Sequence, residues 1–118
     1  MFAEKSLPTA VFFGTDYFAI GAAKAIREHG LQIPRDISVV GFYDIRESLY
    51  AAPPLTTVQV PVQQIALMAA QQIVNQIKST EPIPNISLTV QPRLILRESS
   101  GPLPERKNVQ SKRQHVTD

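Results

Sequence analysis

The sequence predicts an α/β domain built on parallel strands. Two apolar runs, Thr9 to Gly14 and Ile37 to Gly41, each close on a glycine and then turn polar, the second through Phe42-Tyr43-Asp44-Ile45. One stretch of helical periodicity, Tyr17 to His29, lies between them. Strand, helix, strand at this spacing is a βαβ unit, with parallel strands and a right-handed crossover. The second run is β-branched and unbroken, so it reads as a central strand buried on both faces. In such sheets small ligands bind beyond the carboxyl ends of the strands. Here those ends are Thr15-Asp16-Tyr17 and Tyr43-Asp44.

Taken in order, the first strand is launched by Pro8. Asp16 is placed to cap the helix that follows, its carboxylate accepting from amides of the first turn, and Gly30 closes that helix at C′. Phe18, Ala22, Ala25, Ile26 and His29 share one face, the expected packing face. Ile20, Ala23, Lys24 and Arg27 lie opposite, where Ile20 is either a lone exposed residue or part of a subunit contact. His29 has no carboxylate or second histidine at ligand spacing, which makes it an end-of-helix residue.

Beyond the central strand, Arg46 to Tyr50 has room for one helical turn before Pro53-Pro54 stops it. Leu55 to Val60 alternates and is rich in β-branched residues, an extended segment. Pro61 opens the longest helix, Val62 to Lys78. Its apolar stripe of Val62, Ile65, Ala66, Ala69, Ala70, Ile73 and Ile77 is widened by Leu67 and Met68, and glutamines fill much of the other face. So broad a stripe calls for more partner than one small sheet. Ile86 to Val90 alternates as a half-exposed strand, and Leu94-Ile95-Leu96 forms a short final one. From Pro102 the chain is polar, aromatic-free and aperiodic, which predicts a disordered tail over 102–118 after a domain spanning 1–101.

The composition narrows the chemistry. There is no cysteine among the 118 residues, which excludes a thiolate metal site, a disulfide framework and a cysteine nucleophile. Eight acidic and eight basic residues cancel through Gly101, so the net charge of +2 belongs to the tail, a weak footprint for nucleic acid. No apolar run approaches the roughly 20 residues that span a bilayer, and the start shows no secretion signal, so a cytoplasmic location without membrane association is expected. No phosphate loop, helical histidine pair or nucleophile elbow is present. Asp16 and Asp44 share one end of the sheet, yet helix capping and loop hydrogen bonding account for them better than acid/base chemistry. The reading is therefore of a protein that is not an enzyme and carries no metal or cofactor.

Pro8-Thr9-Ala10-Val11-Phe12, Thr15-Asp16, Gly21-Ala22, Ile33-Pro34, Asp36-Ile37-Ser38-Val39-Val40-Gly41-Phe42, Asp44-Ile45, Pro54-Leu55-Thr56-Thr57-Val58 and Arg97-Glu98-Ser99 occur in an order and at intervals that resemble the lactose/galactose repressor (LacI/GalR) family. The resemblance covers Pro8 to about Pro102 and corresponds to the C-terminal half of that family's effector-binding core. It implies a partial periplasmic-binding-protein-like fold, the parallel βαβ core of the C-terminal lobe plus one helix, Val62 to Lys78, of the other lobe. It also implies a regulator of transcription that senses a small-molecule effector in the cleft between two lobes, the effector shifting the lobe arrangement and with it operator affinity.

By the same resemblance Thr15, Asp16, Tyr43 and Asp44 are the ligand-binding positions. The resemblance further implies a homodimer, with Ile20 and Arg27 as interface residues in an isologous contact. Operator DNA would be bound only through a helix-turn-helix domain that this chain, like most of the first lobe, lacks. Two positions depart from the family pattern. Thr15-Asp16 stands where Asn-Asp or Gly-Asp is common, and Tyr43 stands where the family has an acidic residue that binds effector hydroxyls. A tyrosine offers one hydroxyl and a ring face instead of a bidentate carboxylate. The alternative on the same fold is a fragment of a periplasmic sugar- or solute-binding protein of a transport system.

Overall fold

A computed structural model of the chain describes residues 7–103. The elements run β1 (Ala10–Phe12), α1 (Asp16–Glu28), β2 (Ser38–Tyr43), α2 (Glu47–Tyr50), β3 (Thr56–Gln59), α3 (Val62–Lys78) and β4 (Arg93–Ile95). The strands form one sheet in that order, with β1, β2 and β3 parallel and β4 antiparallel to β3. The βαβ reading holds, and β2 is central. Residues 104–118, on which the expectation of a disordered tail mostly falls, lie outside the described residues.

The core sits between the sheet and α1. Ala19, Ile26, Ile37, Val39 and Leu55 form its buried cluster, with Val11, Phe13, Ile20 and Leu31 packed around it. Small residues on α1 let the helix lie close to β2, and Gly30, at φ 78°, ends it in the left-handed conformation expected at C′.

The packing face of α1 differs from the periodicity reading. Asp16, Ala19, Ala23 and Ile26 are the buried residues, while Phe18 is 71% exposed. The helix is turned by about one residue, roughly 100°. The cause is Asp16, whose carboxylate is drawn into the interior and sets the rotation of everything after it. Asp16 is therefore not a side-chain cap. The N-cap position belongs to Thr15, which makes no side-chain capping bond.

The expectation that β2 is covered on both faces is also corrected. Val39 and Gly41 face α1 and are buried, but Val40 and Phe42 are only half-buried on the other side, and neighbouring Phe12 is 61% exposed. Among the described residues no helix lies on that face.

Helix α3 has the predicted bounds, and none of its residues is buried. Residues 86–90, expected as a strand, make no ladder. Ile86, Leu88 and Val90 instead line a groove of about 310 Å³ with Ile65, Met68 and Ala69 of α3. The alternation marks which side chains face the helix, but no strand lies beside the segment to complete a pairing.

The chain's last described turn closes the sheet at its start. Ser99 Oγ donates to Val39 O at 2.5 Å and accepts from Thr56 N at 2.7 Å, and Val39 N donates to Ser99 O at 2.8 Å. The β2–β3 ladder begins only at Val40 and Thr56. Ser99 thus occupies the gap where the two strands diverge and satisfies backbone groups that would otherwise be buried and unpaired.

Candidate functional site

The carboxyl ends of β2 and β3 open onto a cleft of about 460 Å³ lined by Tyr43, Asp44, Gln59 and residues 60–64. One wall is the end of the central strand and the other is the first turn of α3. Parallel strands direct their carboxyl ends, and the loops that follow, to the same side of the sheet, which is why the cleft forms there.

Tyr43 and Asp44 both have positive φ, 100° and 58°. Two consecutive non-glycine residues in this region cost on the order of 1–3 kcal/mol each and persist where the surroundings over-determine them. The surroundings here are a polar chain. Arg97 Nη2 donates to Asp44 Oδ1 at 2.7 Å, Gln59 Nε2 donates to Asp44 Oδ2 at 2.9 Å, and Arg93 Nη2 donates to Gln59 Oε1 at 3.1 Å. Arg97 Nη1 also reaches Leu55 O at 3.0 Å. The Arg97 and Asp44 side chains are 16% and 11% exposed, so water screens the pair little. Tyr43 stands clear of this chain of bonds, its ring edge-on to Phe42 with centroids 5.1 Å apart.

Asp16 has a different part. Thr57 Oγ1 donates to its Oδ1 at 2.5 Å, while Ser48 Oγ and Ile45 N donate to Oδ2 at 2.6 and 2.9 Å. It is fully buried. The carboxylate joins the start of α1 to α2, to the loop after β2 and to β3, and it presents no face to the cleft. Of the four ligand positions drawn from the resemblance, the cleft brings together Tyr43 and Asp44. Thr15 is half-buried and, like Asp16, does not line it. Thr57 lies between the two carboxylates, its Oγ1 donating to Asp16 and accepting from the Asp44 amide at 3.4 Å.

Gln59, Arg93 and Arg97 were not singled out by sequence reasoning. Arg97 pairs with a residue 53 positions away, a separation invisible to local pattern. Its one available signal was Arg97-Glu98-Ser99, a motif that carried kinship without a stated role.

The two expected dimer residues occupy different settings. Ile20 packs partly against the core cluster. Arg27 is exposed, and its Nη1 donates to Ala52 O. Among the described residues no group of His, Cys, Asp or Glu is arranged to hold a metal ion, and no helix is long and apolar enough to cross a membrane.

Residues 1–100 match the periplasmic binding protein-like domain. The chain belongs to that family. Within it, the relatives are regulators of the LacI type, in agreement with the resemblance carried by the sequence motifs. The ribose operon repressor of Haemophilus influenzae is 38% identical over 100 residues, which are 84% of this chain and 30% of that protein. The HTH-type transcriptional repressor PurR of Proteus mirabilis is 40% identical over 99 residues, 84% of this chain and 29% of the repressor. Among solved structures, a putative transcriptional regulator LacI from Bacillus cereus subsp. cytotoxis superimposes with a TM-score of 0.80 at 27% identity, over 85% of this chain and 35% of that one. The lac repressor dimer bound to operator and the anti-inducer ONPF matches with a TM-score of 0.71 at 31% identity, over 80% and 32% of the two chains. The chain thus spans about three tenths of the length of the curated relatives it matches.

Proposed function

We propose that this chain is part of the effector-sensing and dimerisation region of a LacI-type transcriptional regulator, acting in the cytoplasm. The observation that carries the reading is the cleft at the ends of β2 and β3. Two residues in strained conformations, Tyr43 and Asp44, lie there beside a part-buried ion pair, in a chain whose curated relatives are repressors. Tyr43 contacts a small effector through its ring and hydroxyl, Asp44 stands directly behind it, and Thr15 belongs to the same end of the sheet. The first turn of α3 forms the opposing wall. A second copy meets the chain along α1, with Ile20 and Arg27 at the contact. Operator DNA is engaged through a separate helix-turn-helix domain of the same regulator. Effector binding changes DNA affinity only to the extent that it favours one lobe arrangement over the other.

The test is a thermal-shift panel on the full-length protein with D-ribose, cellobiose, sucrose, adenine and guanine, followed by a DNA-shift assay with the fragment upstream of its own gene. A compound that raises the unfolding midpoint and alters DNA affinity supports the reading. A protein whose DNA affinity is indifferent to every compound that binds it speaks against regulation, and transport of the bound solute then becomes the better account.

A further inference from the structure

We infer that Arg97 is the positioning residue of the cleft: acting through Asp44, it holds Tyr43 in the conformation that offers its ring and hydroxyl to a ligand. The purpose of this arrangement rests on the effector reading above, while its geometry stands independently. Tyr43 and Asp44 occupy the left-handed region in succession, at φ 100° and 58°. An aromatic residue does not hold that conformation unaided. What holds it is the fork of Arg97. One arm donates to Asp44 Oδ1 at 2.7 Å and the other to Leu55 O at 3.0 Å, while the Arg97 amide donates to Thr56 Oγ1 at 3.0 Å. The guanidinium therefore fastens the end of β2 to the start of β3. A planar fork with two fixed donors suits this task as a lysine would not.

Asp44 is consumed by the arrangement. Gln59 takes its second oxygen at 2.9 Å, so the carboxylate is the internal counter-ion of Arg97. Tyr43, 47% exposed, is the side chain left facing the cleft. Arg97 also follows β4 by two residues, on the segment by which the chain returns from α3, and Arg93 of β4 holds Gln59 from the same side.

The test uses the full-length protein. Crystal structures of wild type and Arg97→Gln are compared at Tyr43 and Asp44. The expected result is loss of the positive φ at Tyr43 and movement of its ring, with Arg97→Lys keeping the contact to Asp44 and an intermediate position. An Arg97→Gln structure that retains both positive φ values overturns the inference. If Arg97→Gln does not fold, Asp44→Gly replaces it: glycine adopts φ 58° freely but cannot bond Arg97, so Tyr43 is expected to move, and an unmoved Tyr43 is contrary. Calorimetry with D-ribose and adenine as probes supplies the second readout. For a probe that wild type binds, Arg97→Gln is expected to weaken affinity at least tenfold with partial recovery in Arg97→Lys, and unchanged affinity overturns the inference. Should wild type bind no probe, the loss falls on the effector reading, and the backbone comparison still decides the role of Arg97.

Discussion

Gly41 and Asp16 meet across the helix–sheet interface so closely that the glycine has no room for a side chain. A β-carbon built on Gly41 overlaps Asp16 Oδ1 and comes 2.9 Å from Leu55 Cδ2. Gly41→Ala is therefore expected to destabilise the fold by about 1–3 kcal/mol, the usual cost of overpacking a filled interior. Strand preference alone predicts the opposite sign, since glycine in a strand costs roughly 0.5–1 kcal/mol relative to alanine. Urea denaturation of the two proteins decides between them.

Asp16 allows a second test of the same kind. At a helix N-cap, asparagine serves about as well as aspartate, so a capping role makes Asp16→Asn nearly neutral. Inside the fold the carboxylate accepts from Thr57, Ser48 and Ile45. An amide puts two donors among donors, and a loss of about 1–3 kcal/mol is expected. An unchanged unfolding midpoint would return Asp16 to the surface.

The rotation of α1 can be read by a pair of substitutions. Ala23→Leu enlarges a buried position and should cost about 1–3 kcal/mol, whereas Phe18→Ser, on the exposed side, should stay within about 0.5 kcal/mol. The reverse ranking in thermal denaturation would restore the face suggested by periodicity.

The uncovered sheet face bears on association. Phe12, Phe42 and Leu94 border a surface with no helix upon it among the described residues, and α3 buries none of its own. A polypeptide limited to residues 7–103 is expected to self-associate. Sedimentation velocity should show an average mass that rises with concentration and falls when Phe12→Lys and Leu94→Lys are combined. A concentration-independent monomer would refute the expectation.

The elements were legible where periodicity and punctuation carry the signal. Glycine-closed apolar runs located β1 and β2, proline located the start of α3, and Gly30 located the end of α1. What escaped was set by contacts distant in sequence. The apolar periodicity of α1 points about one residue away from its buried face, because it carries no trace of the partners at positions 45, 48 and 57 that turn Asp16 inward. The alternation at 86–90 described side-chain facing correctly but says nothing about whether a neighbouring strand exists. At the cleft, Tyr43 and Asp44 followed from the rule about strand ends. Gln59, Arg93 and Arg97 did not, because hydrogen-bond partners separated by tens of residues leave no local pattern.

The placement of Ser99 bears on synthesis. The backbone groups of Val39 and Thr56 at the origin of β2 and β3 wait for a hydroxyl that the ribosome adds 60 residues after Val39. Chains fold as they emerge, N-terminal portions first, yet this sheet cannot be stitched at its base until the segment around Ser99 has cleared the exit tunnel. Until then β2 and β3 are joined only from Val40 onward, with open amides and carbonyls below. A nascent chain stalled or cleaved short of Ser99 is left with that seam unsealed.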